Sequence, residues 1–157
     1  MKGSRNVAAI FLLAWLGFVG VAHSEPLIDQ SNDPALRAAI NNAHHDMATC
    51  FAFYTISIEA FRRRREASAE AKAQTDATIA HTQNVNERLA QVMLQLHHPD
   101  VTKARIRLAV EEQLREMRED FSNYSLLLAK HLRPCKEISE GTRAHVEKRF
   151  AEELAKE

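Results

Sequence analysis

The sequence predicts an all-α fold, an antiparallel three-helix bundle with a short fourth C-terminal helix. Glycine and proline, the strongest breakers of regular structure, are scarce after residue 24, where Gly141 is the only glycine. Residues that favour helices, such as alanine, glutamate, arginine, leucine and glutamine, are abundant. Strand signals are nearly absent, because the chain has no Asn-Gly or Asp-Gly turn and no sustained alternation of β-branched residues.

The first predicted helix begins at Pro34, because Asp33 can cap it and proline suits the first helical position. Apolar side chains then recur at steps of three and four, as on one face of an amphipathic helix. The stripe consists of Leu36, Ile40, Ala43, Met47, Cys50, Tyr54, Ser57 and Phe61, and it is widened by Phe51 and Ile58.

Three further helices are predicted. The second ends near Leu96, before the turn that contains Pro99. The third continues to Pro134, which stops it, and Gly141 separates it from the short fourth helix. Their apolar stripes are Val85, Leu89, Val92 and Leu96 in the second helix, Val110, Leu114, Met117, Phe121, Tyr124 and Leu128 in the third, and Val146, Phe150 and Leu154 in the fourth.

The position of the first turn is open, since no glycine or proline occurs between Arg62 and Thr82. A compact bundle requires a reversal between Arg65 and Thr75, with Ser68 or Thr75 as its cap. The alternative is one continuous helix of about 60 residues, which would need a partner to bury its apolar stripe. We favour the hairpin.

The first 24 residues have the three-part layout of a secretory signal peptide. Lys2 and Arg5 form a charged start, an uncharged apolar run extends from Val7 to Val21, and Ala22-His23-Ser24 resembles a cleavage site. The apolar run is shorter than the roughly 20 residues of a spanning helix. Cleavage after Ser24 is therefore favoured over a retained membrane anchor, and it would place the protein in a bacterial periplasm or outside the cell.

The remaining chain is expected to form one domain. Residues 25–33 are predicted to be a flexible tail and residues 34–157 a single helical-bundle domain. Loss of Lys2 and Arg5 leaves 19 basic and 21 acidic side chains, a formal charge of −2. That balance provides no strong attraction to nucleic acid.

Cys50 and Cys135 are the only cysteines, and an even number in an exported chain indicates a disulfide bond. Cys50 lies on the apolar stripe, roughly 15 Å by helical rise from the end of the first helix. A chain that turns at Pro134 can bring Cys135 back to it. The alternatives are two buried free thiols or a reactive or metal-binding thiol, although the chain has no Cys-x-x-Cys motif.

Two segments carry a family resemblance, "TCFAFYTIS" around Cys50 and "LAKHLRPCKEISEG" around Cys135. They resemble small exported all-helical proteins of proteobacteria, which have a Cys-x-x-[Phe/Tyr]-Tyr stretch in one helix and a late Pro-Cys-Lys. The resemblance covers roughly Asp46 to Gly141. It implies an all-helical fold and paired cysteines, and it implies no activity.

Two tandem histidine pairs, His44-His45 and His97-His98, are candidate metal ligands. Adjacent residues on a helix point about 100° apart, so neither pair chelates by itself. The register of the first two helices decides whether the pairs meet, and the alternative is surface histidines at a turn and on a helix flank. Met47 is a candidate haem ligand with His131 or His145, although a methionine at helical spacing is usually part of the core.

Four consecutive arginines, Arg62, Arg63, Arg64 and Arg65, form a candidate patch for an anionic partner. After export such a patch could meet anionic lipid headgroups or cell-wall polymers. The alternative is a solvated surface, because Glu59 lies four residues before Arg63 and Glu66 four after Arg62. We favour the solvated surface.

The motifs of common enzyme classes are absent from the sequence. It contains no Gly-x-Ser-x-Gly, P-loop or His-Glu-x-x-His pattern, and no set of nucleophile and base can be assigned. We therefore expect an exported non-enzymatic helical bundle without a cofactor, which binds an envelope partner or assembles with itself. Contact with a membrane surface stays open. The second hypothesis is a small periplasmic bundle that binds a metal or a cofactor.

Export can be tested by the mass and fluorescence of the protein recovered from its native compartment. Cleavage after Ser24 removes Trp15, the only tryptophan, so we expect an intact mass that begins at Glu25 and an emission spectrum of tyrosine alone. A chain that retains residues 1–24 in the membrane fraction would contradict the expectation.

Overall fold

The structure is a computed structural model that describes residues 25–64 and 68–156. Within those residues every regular element is helical, which confirms the predicted all-α class. The predicted signal peptide, residues 1–24, lies outside the described residues. The helices are α1 (Pro34–Arg62), α2 (Ala69–Leu96), α3 (Pro99–Glu116), α4 (Tyr124–Glu140) and α5 (Thr142–Leu154), and a 3₁₀ turn (Phe121–Asn123) precedes α4.

Helix α1 begins where the sequence predicts. The Asp33 carboxylate accepts hydrogen bonds from the backbone N–H groups of Ala35 at 2.9 Å and Leu36 at 3.3 Å, and Pro34 occupies the first turn. The helix has 29 residues. It is therefore roughly 44 Å long, which is enough to run the length of a small domain.

Helix α1 lies at the centre of the bundle. It contacts all four other helices, which make few contacts with one another. Because α1 is surrounded, its buried residues are not confined to the predicted stripe: Phe53 and Ile56 are also buried. Small side chains at Ala39, Ala43 and Ala52 have no exposed surface, and they let the neighbouring helices approach closely.

The first reversal falls in the predicted interval. Helix α1 ends at Arg62, and the Ser68 hydroxyl caps α2 by accepting a hydrogen bond from the Ala71 N–H at 3.1 Å. Thr75, the other candidate cap, lies inside α2. The hairpin is therefore correct, and the alternative of one continuous helix is excluded.

The predicted third helix is wrong, because the chain reverses within it. Helix α3 ends at Glu116, and Arg118 and Glu119 adopt left-handed backbone conformations with φ of 54° and 58°. The Asp120 carboxylate then accepts a hydrogen bond from the Ser122 N–H at 2.9 Å, which starts the 3₁₀ turn before α4.

The reversal makes α4 antiparallel to α1, whereas α3 is parallel to it. Along α3, Thr102 contacts His44 and Gln113 contacts Thr49. Along α4 the order is opposite, since Tyr124 contacts Ser57 before Cys135 meets Cys50. The described residues therefore form four helices around α1, which corrects the expected three-helix bundle with a short fourth helix.

Pro134 does not end a helix. It lies inside α4, which continues to Glu140. Proline supplies no N–H to the carbonyl four residues earlier, and its ring usually disturbs the preceding turn. Helix α4 is nevertheless held on both sides of Pro134, because His131 and Cys135 are buried against α1.

Residues 25–33, predicted to be a flexible tail, pack against the bundle. The N–H groups of Leu27 and Ile28 donate to the carbonyls of Gln95 at 2.9 Å and Leu96 at 3.2 Å, and both side chains are buried. Arg37 donates to the Ile28 carbonyl at 3.0 Å. The segment thereby satisfies carbonyl groups at the end of α2 that have no partner within that helix.

Cys50 and Cys135 form the predicted disulfide, with their α-carbons 5.1 Å apart and a sequence separation of 85. Both residues are almost fully buried. The chain returns to Cys50 through the reversal between α3 and α4, and not through the turn that was expected at Pro134.

Reduction of the disulfide should lower the free energy of unfolding by on the order of 4 kcal/mol, because the bond closes a long loop in the unfolded chain. Chemical denaturation of the oxidised and reduced protein measures this difference. Cys50→Ala and Cys135→Ala should destabilise about equally, and the double variant little more than either, since each removes the same bond. A much larger effect of Cys50→Ala would mean that its sulfur acts mainly by packing.

Candidate functional site

The end of α1 carries Arg62, Arg63 and Arg64, named here the arginine tip, and all three side chains are exposed. Arg65, the fourth residue of the predicted patch, lies outside the described residues. Arg63 pairs with Glu59 at 2.8 Å, as the spacing predicted. Its guanidinium also lies 4.0 Å from the centre of the Phe121 ring, within the range of a cation–π contact.

Arg64 makes a similar contact, with its guanidinium 5.0 Å from the centre of the Phe61 ring. The two arginines are thus ordered against aromatic rings from α1 itself and from the turn before α4. A ring contacts one face of a planar guanidinium and leaves its N–H groups at the edge available for acceptors. The sequence favoured a solvated surface, and the structure adds two contacts with aromatic rings that the sequence did not predict.

Two grooves flank the arginine tip. The larger, about 550 Å³, lies between the end of α1 and the start of α2, and the smaller, about 380 Å³, lies between α1 and α4. Phe61 and Ile79 give the larger groove an apolar surface, and Arg62, Arg64 and Lys72 give it a basic one. Among the described residues that line it, Asp76 is the one acidic residue, and it pairs with Lys72 at 2.9 Å.

The tandem histidines do not assemble into one cluster. His44 and His97 are neighbours, with ring centres 5.3 Å apart. His98 instead pairs with Asp29 at 2.7 Å, and His45 is exposed on another side of α1. Across residues 25–64 and 68–156, no group of three or more histidine, cysteine or acidic side chains is arranged to hold a metal ion.

His44 is a buried bridge between α1 and α3. Arg105 donates to its Nδ1 at 3.0 Å, so the ring proton is on Nε2, which donates to the Thr102 hydroxyl at 2.9 Å. Arg105 is itself held by the carbonyl and side-chain oxygens of Asn41 at 3.0 and 2.7 Å. Neither nitrogen of His44 is therefore available to a metal.

Burial lowers the pKa of His44 to about 4, and the positive charges of Arg105 and of His97 and His45 act in the same direction. Burial also lowers the pKa of His97, although less strongly. His44 is therefore neutral at ordinary pH, as its hydrogen bonds require. His44 therefore has a structural role. The sequence had suggested that it was a metal ligand.

Asp46 holds α5 against α1. Its Oδ2 accepts hydrogen bonds from His145 at 2.8 Å and Arg149 at 2.7 Å. Burial alone would raise the pKa of Asp46, but these two partners lower it below its usual value. His145 is thus committed to Asp46, and Met47 has no exposed surface, so these two of the three candidate haem ligands serve the packing of the bundle.

A third recess, named here the disulfide cleft, lies between α1, α3 and α4 and has a volume of about 290 Å³. The Cys50–Cys135 bond contributes to its wall, and so do Gln113 of α3 and His131 of α4. Both polar residues are almost fully buried, with 2% and 7% of their surfaces exposed. Each also has one side-chain atom without a hydrogen-bond partner in the part of the chain that the structure describes, Oε1 of Gln113 and Nε2 of His131.

Sequence reasoning did not identify Gln113 as a residue of a site. The residue follows Ala109 and precedes Met117 at steps of four, so it occupies a polar position on a buried face of α3. That face differs from the predicted stripe, because Val110 and Leu114 are only partly buried. The sequence feature that could have identified Gln113 is its place as a polar residue in an otherwise apolar row.

Comparisons of the chain with protein-family models, with curated proteins and with solved structures found no match. Among residues 25–64 and 68–156, no helix combines the length and the apolar character needed to cross a membrane. Function is therefore inferred from the geometry of the chain itself.

The stability of the protein should depend on pH through His44. The unfolded chain takes up this proton near pH 6.5 and the folded chain only near pH 4, so the unfolded state binds more protons between those values. The stabilisation is complete above about pH 6.5 and is lost as the pH falls toward 4. We expect a loss of up to about 3 kcal/mol from this group, measured by urea denaturation across that range.

His44→Asn should be less stable at neutral pH and should show a shallower dependence on pH. His81→Asn is the matched control, since His81 is an exposed histidine on α2, and it should keep the wild-type dependence. If His44→Asn retains the full dependence, other groups must account for it.

Proposed function

We propose that this protein is exported and acts by binding, with the arginine tip as its contact surface for an acidic segment of an envelope partner. The observation that carries the proposal is the ordering of Arg63 and Arg64 against aromatic rings at an exposed end of the central helix. The signal-peptide layout of residues 1–24 and the disulfide support export, because disulfides persist in oxidising compartments.

The arginine tip has the properties of a recognition surface. Ordering a long side chain before binding reduces the entropy that association must otherwise remove. Arg62 and Arg64 have no ion pair among the described residues, and the guanidinium of Arg64 lies over the Phe61 ring. Arginine and aromatic residues are also the types most enriched where binding energy is concentrated.

The larger groove favours a protein segment as the occupant. It combines the apolar side chains of Phe61 and Ile79 with the basic groups of Arg62 and Arg64. Its volume of about 550 Å³ is large enough for several side chains. An acidic segment that carries one apolar residue matches both properties, whereas a lipid surface would use the charges and leave the recessed apolar groove empty.

The start of α2 extends this surface. Residues 69–81 include no buried side chain, so one flank of the groove is a helix that is open to solvent. The face is rich in alanine and threonine, with short side chains that leave the backbone of α2 accessible to a partner. A bound segment can therefore contact both α2 and the arginine tip.

The proposal predicts that a fluorescein-labelled peptide of glutamates with one central leucine binds to the protein, measured by fluorescence anisotropy. Arg62→Gln together with Arg64→Gln should weaken binding about tenfold, because two of the charges that face the groove are lost. Binding should also weaken as salt concentration rises. Arg133→Gln with Arg143→Gln is the control with the same change in charge, and it should leave the affinity unchanged.

Three outcomes would contradict this assignment. Equal weakening of peptide binding by both double variants would show nonspecific electrostatic attraction and no defined binding site. Binding to vesicles that contain phosphatidylglycerol but not to the peptide would identify a lipid surface as the partner. Concentration-dependent dimers in analytical ultracentrifugation that the tip variant abolishes would identify self-assembly instead.

A further inference from the structure

Helix α3 is attached to α1 largely through polar side chains. The buried residues within α3 are Thr102, Ala109 and Gln113, of which only Ala109 is apolar. Helix α2, in contrast, buries a row of large apolar side chains, namely Val85, Leu89, Met93 and Leu96. Helix α3 also has few contacts with α2 and α4. Segments that bury little apolar surface open at a low free-energy cost, so α3 should detach more easily than α2.

The contact at the start of α3 depends on the protonation state of His44. Arg105 donates to the Nδ1 of His44 at 3.0 Å. A protonated imidazole has no acceptor, because both of its nitrogens carry a proton. Proton uptake by His44 therefore removes this hydrogen bond and places two positive groups in contact. Arg105 would keep its hydrogen bonds to Asn41, but the repulsion from His44 would oppose them.

The surroundings of His44 provide little negative charge to balance a second proton. The ring of His97, in the turn before α3, has its centre 5.3 Å from that of His44. Asp29 is the one carboxylate that acts on these two rings, and it is paired with His98 at 2.7 Å. The other groups that act on them are basic: Arg37 and His45 on α1, Arg105 on α3, and His98 in the turn.

Helix α5, which also packs against α1, does not change this balance. Its basic groups His145 and Arg149 are held by Asp46 of α1. Its Glu153 accepts hydrogen bonds from Asn42 and Lys156. The end of the bundle around His44 and His97 would therefore carry a concentration of positive charge in acid.

The direction of the pH dependence follows from the two histidines. Burial, and after it the neighbouring positive charges, lowers the pKa of His44 to about 4 and lowers that of His97 as well. The charge of Asp29 raises the pKa of His97, but its effect is smaller than that of burial. Detachment of α3 returns His44 to solvent, so the detached form binds more protons. Attachment is complete above about pH 6.5 and weakens as the pH falls toward 4.

We propose that the start of α3 is a pH-sensitive contact, which is closed at neutral pH and detaches from α1 in mild acid before the rest of the bundle unfolds. Proton uptake by His44 and His97 drives the change. The contact is distant from the arginine tip, because His44 precedes Arg62 by roughly 27 Å along α1. The inference therefore does not depend on the proposed function.

Hydrogen exchange of the backbone amides, followed by mass spectrometry, can locate the opening. The oxidised protein recovered from its native compartment is compared at pH 7 and pH 5, with each rate divided by the intrinsic exchange rate at that pH. We expect the protection of residues 100–108 in α3 to fall at least about tenfold more than that of residues 125–133 in α4. His44→Asn should remove most of this difference, because asparagine can accept from Arg105 and carries no charge.

Two further variants complete the test. His97→Asn removes the second titrating ring and should reduce the difference in part. His81→Asn is the matched control, because His81 is an exposed histidine on α2, and it should keep the wild-type difference. Parallel loss of protection in both segments would overturn the proposal, since it would mean that acid unfolds the whole bundle at once. Retention of the full difference by both His44→Asn and His97→Asn would overturn it as well. If His44→Asn does not fold, His97→Asn alone decides.

Discussion

Burial of α1 on several sides is the constraint on which the rest of the bundle depends. The other four helices make most of their contacts with α1 and few with one another. Their apolar faces are therefore protected only as long as they are correctly placed against α1. The alanines at 39, 43 and 52 make this close placement possible, since each is fully buried and takes little space.

Polar contacts set the register of each helix against α1. Asn86 of α2 donates to Thr55, Tyr124 of α4 donates to Ser57, and His145 of α5 pairs with Asp46. For α3 the contact is between Thr102 and His44. Apolar packing alone tolerates sliding, whereas a buried polar group that loses its partner costs about 1–3 kcal/mol. One such contact for each helix therefore selects a single arrangement among many that would bury similar apolar area.

The sequence predicted features that arise from local chemistry and missed those that depend on the whole fold. The caps at Asp33 and Ser68 were visible because they need only residues a few positions away, and the disulfide followed from two cysteines in a chain expected to be exported. The reversal after Glu116 was missed because Met117, Phe121 and Tyr124 continue the apolar phase of α3 through a turn without glycine. Asp120 was the one local signal of that turn. Gln113 could not be assigned a role until α4 was known to face it.

Helix α4 connects the arginine tip and the disulfide cleft. At its start, the preceding turn places Phe121 against Arg63, and near its middle it places His131 in the disulfide cleft. The helix contains Pro134 and has few contacts with α3 or α5, so its position depends mainly on α1. The bond from Cys135 to Cys50 lies directly after that proline, where the helical hydrogen bonding is weakest. A covalent link at this point holds both halves of α4 against α1, and through them it holds the aromatic support of the arginine tip and the wall of the cleft.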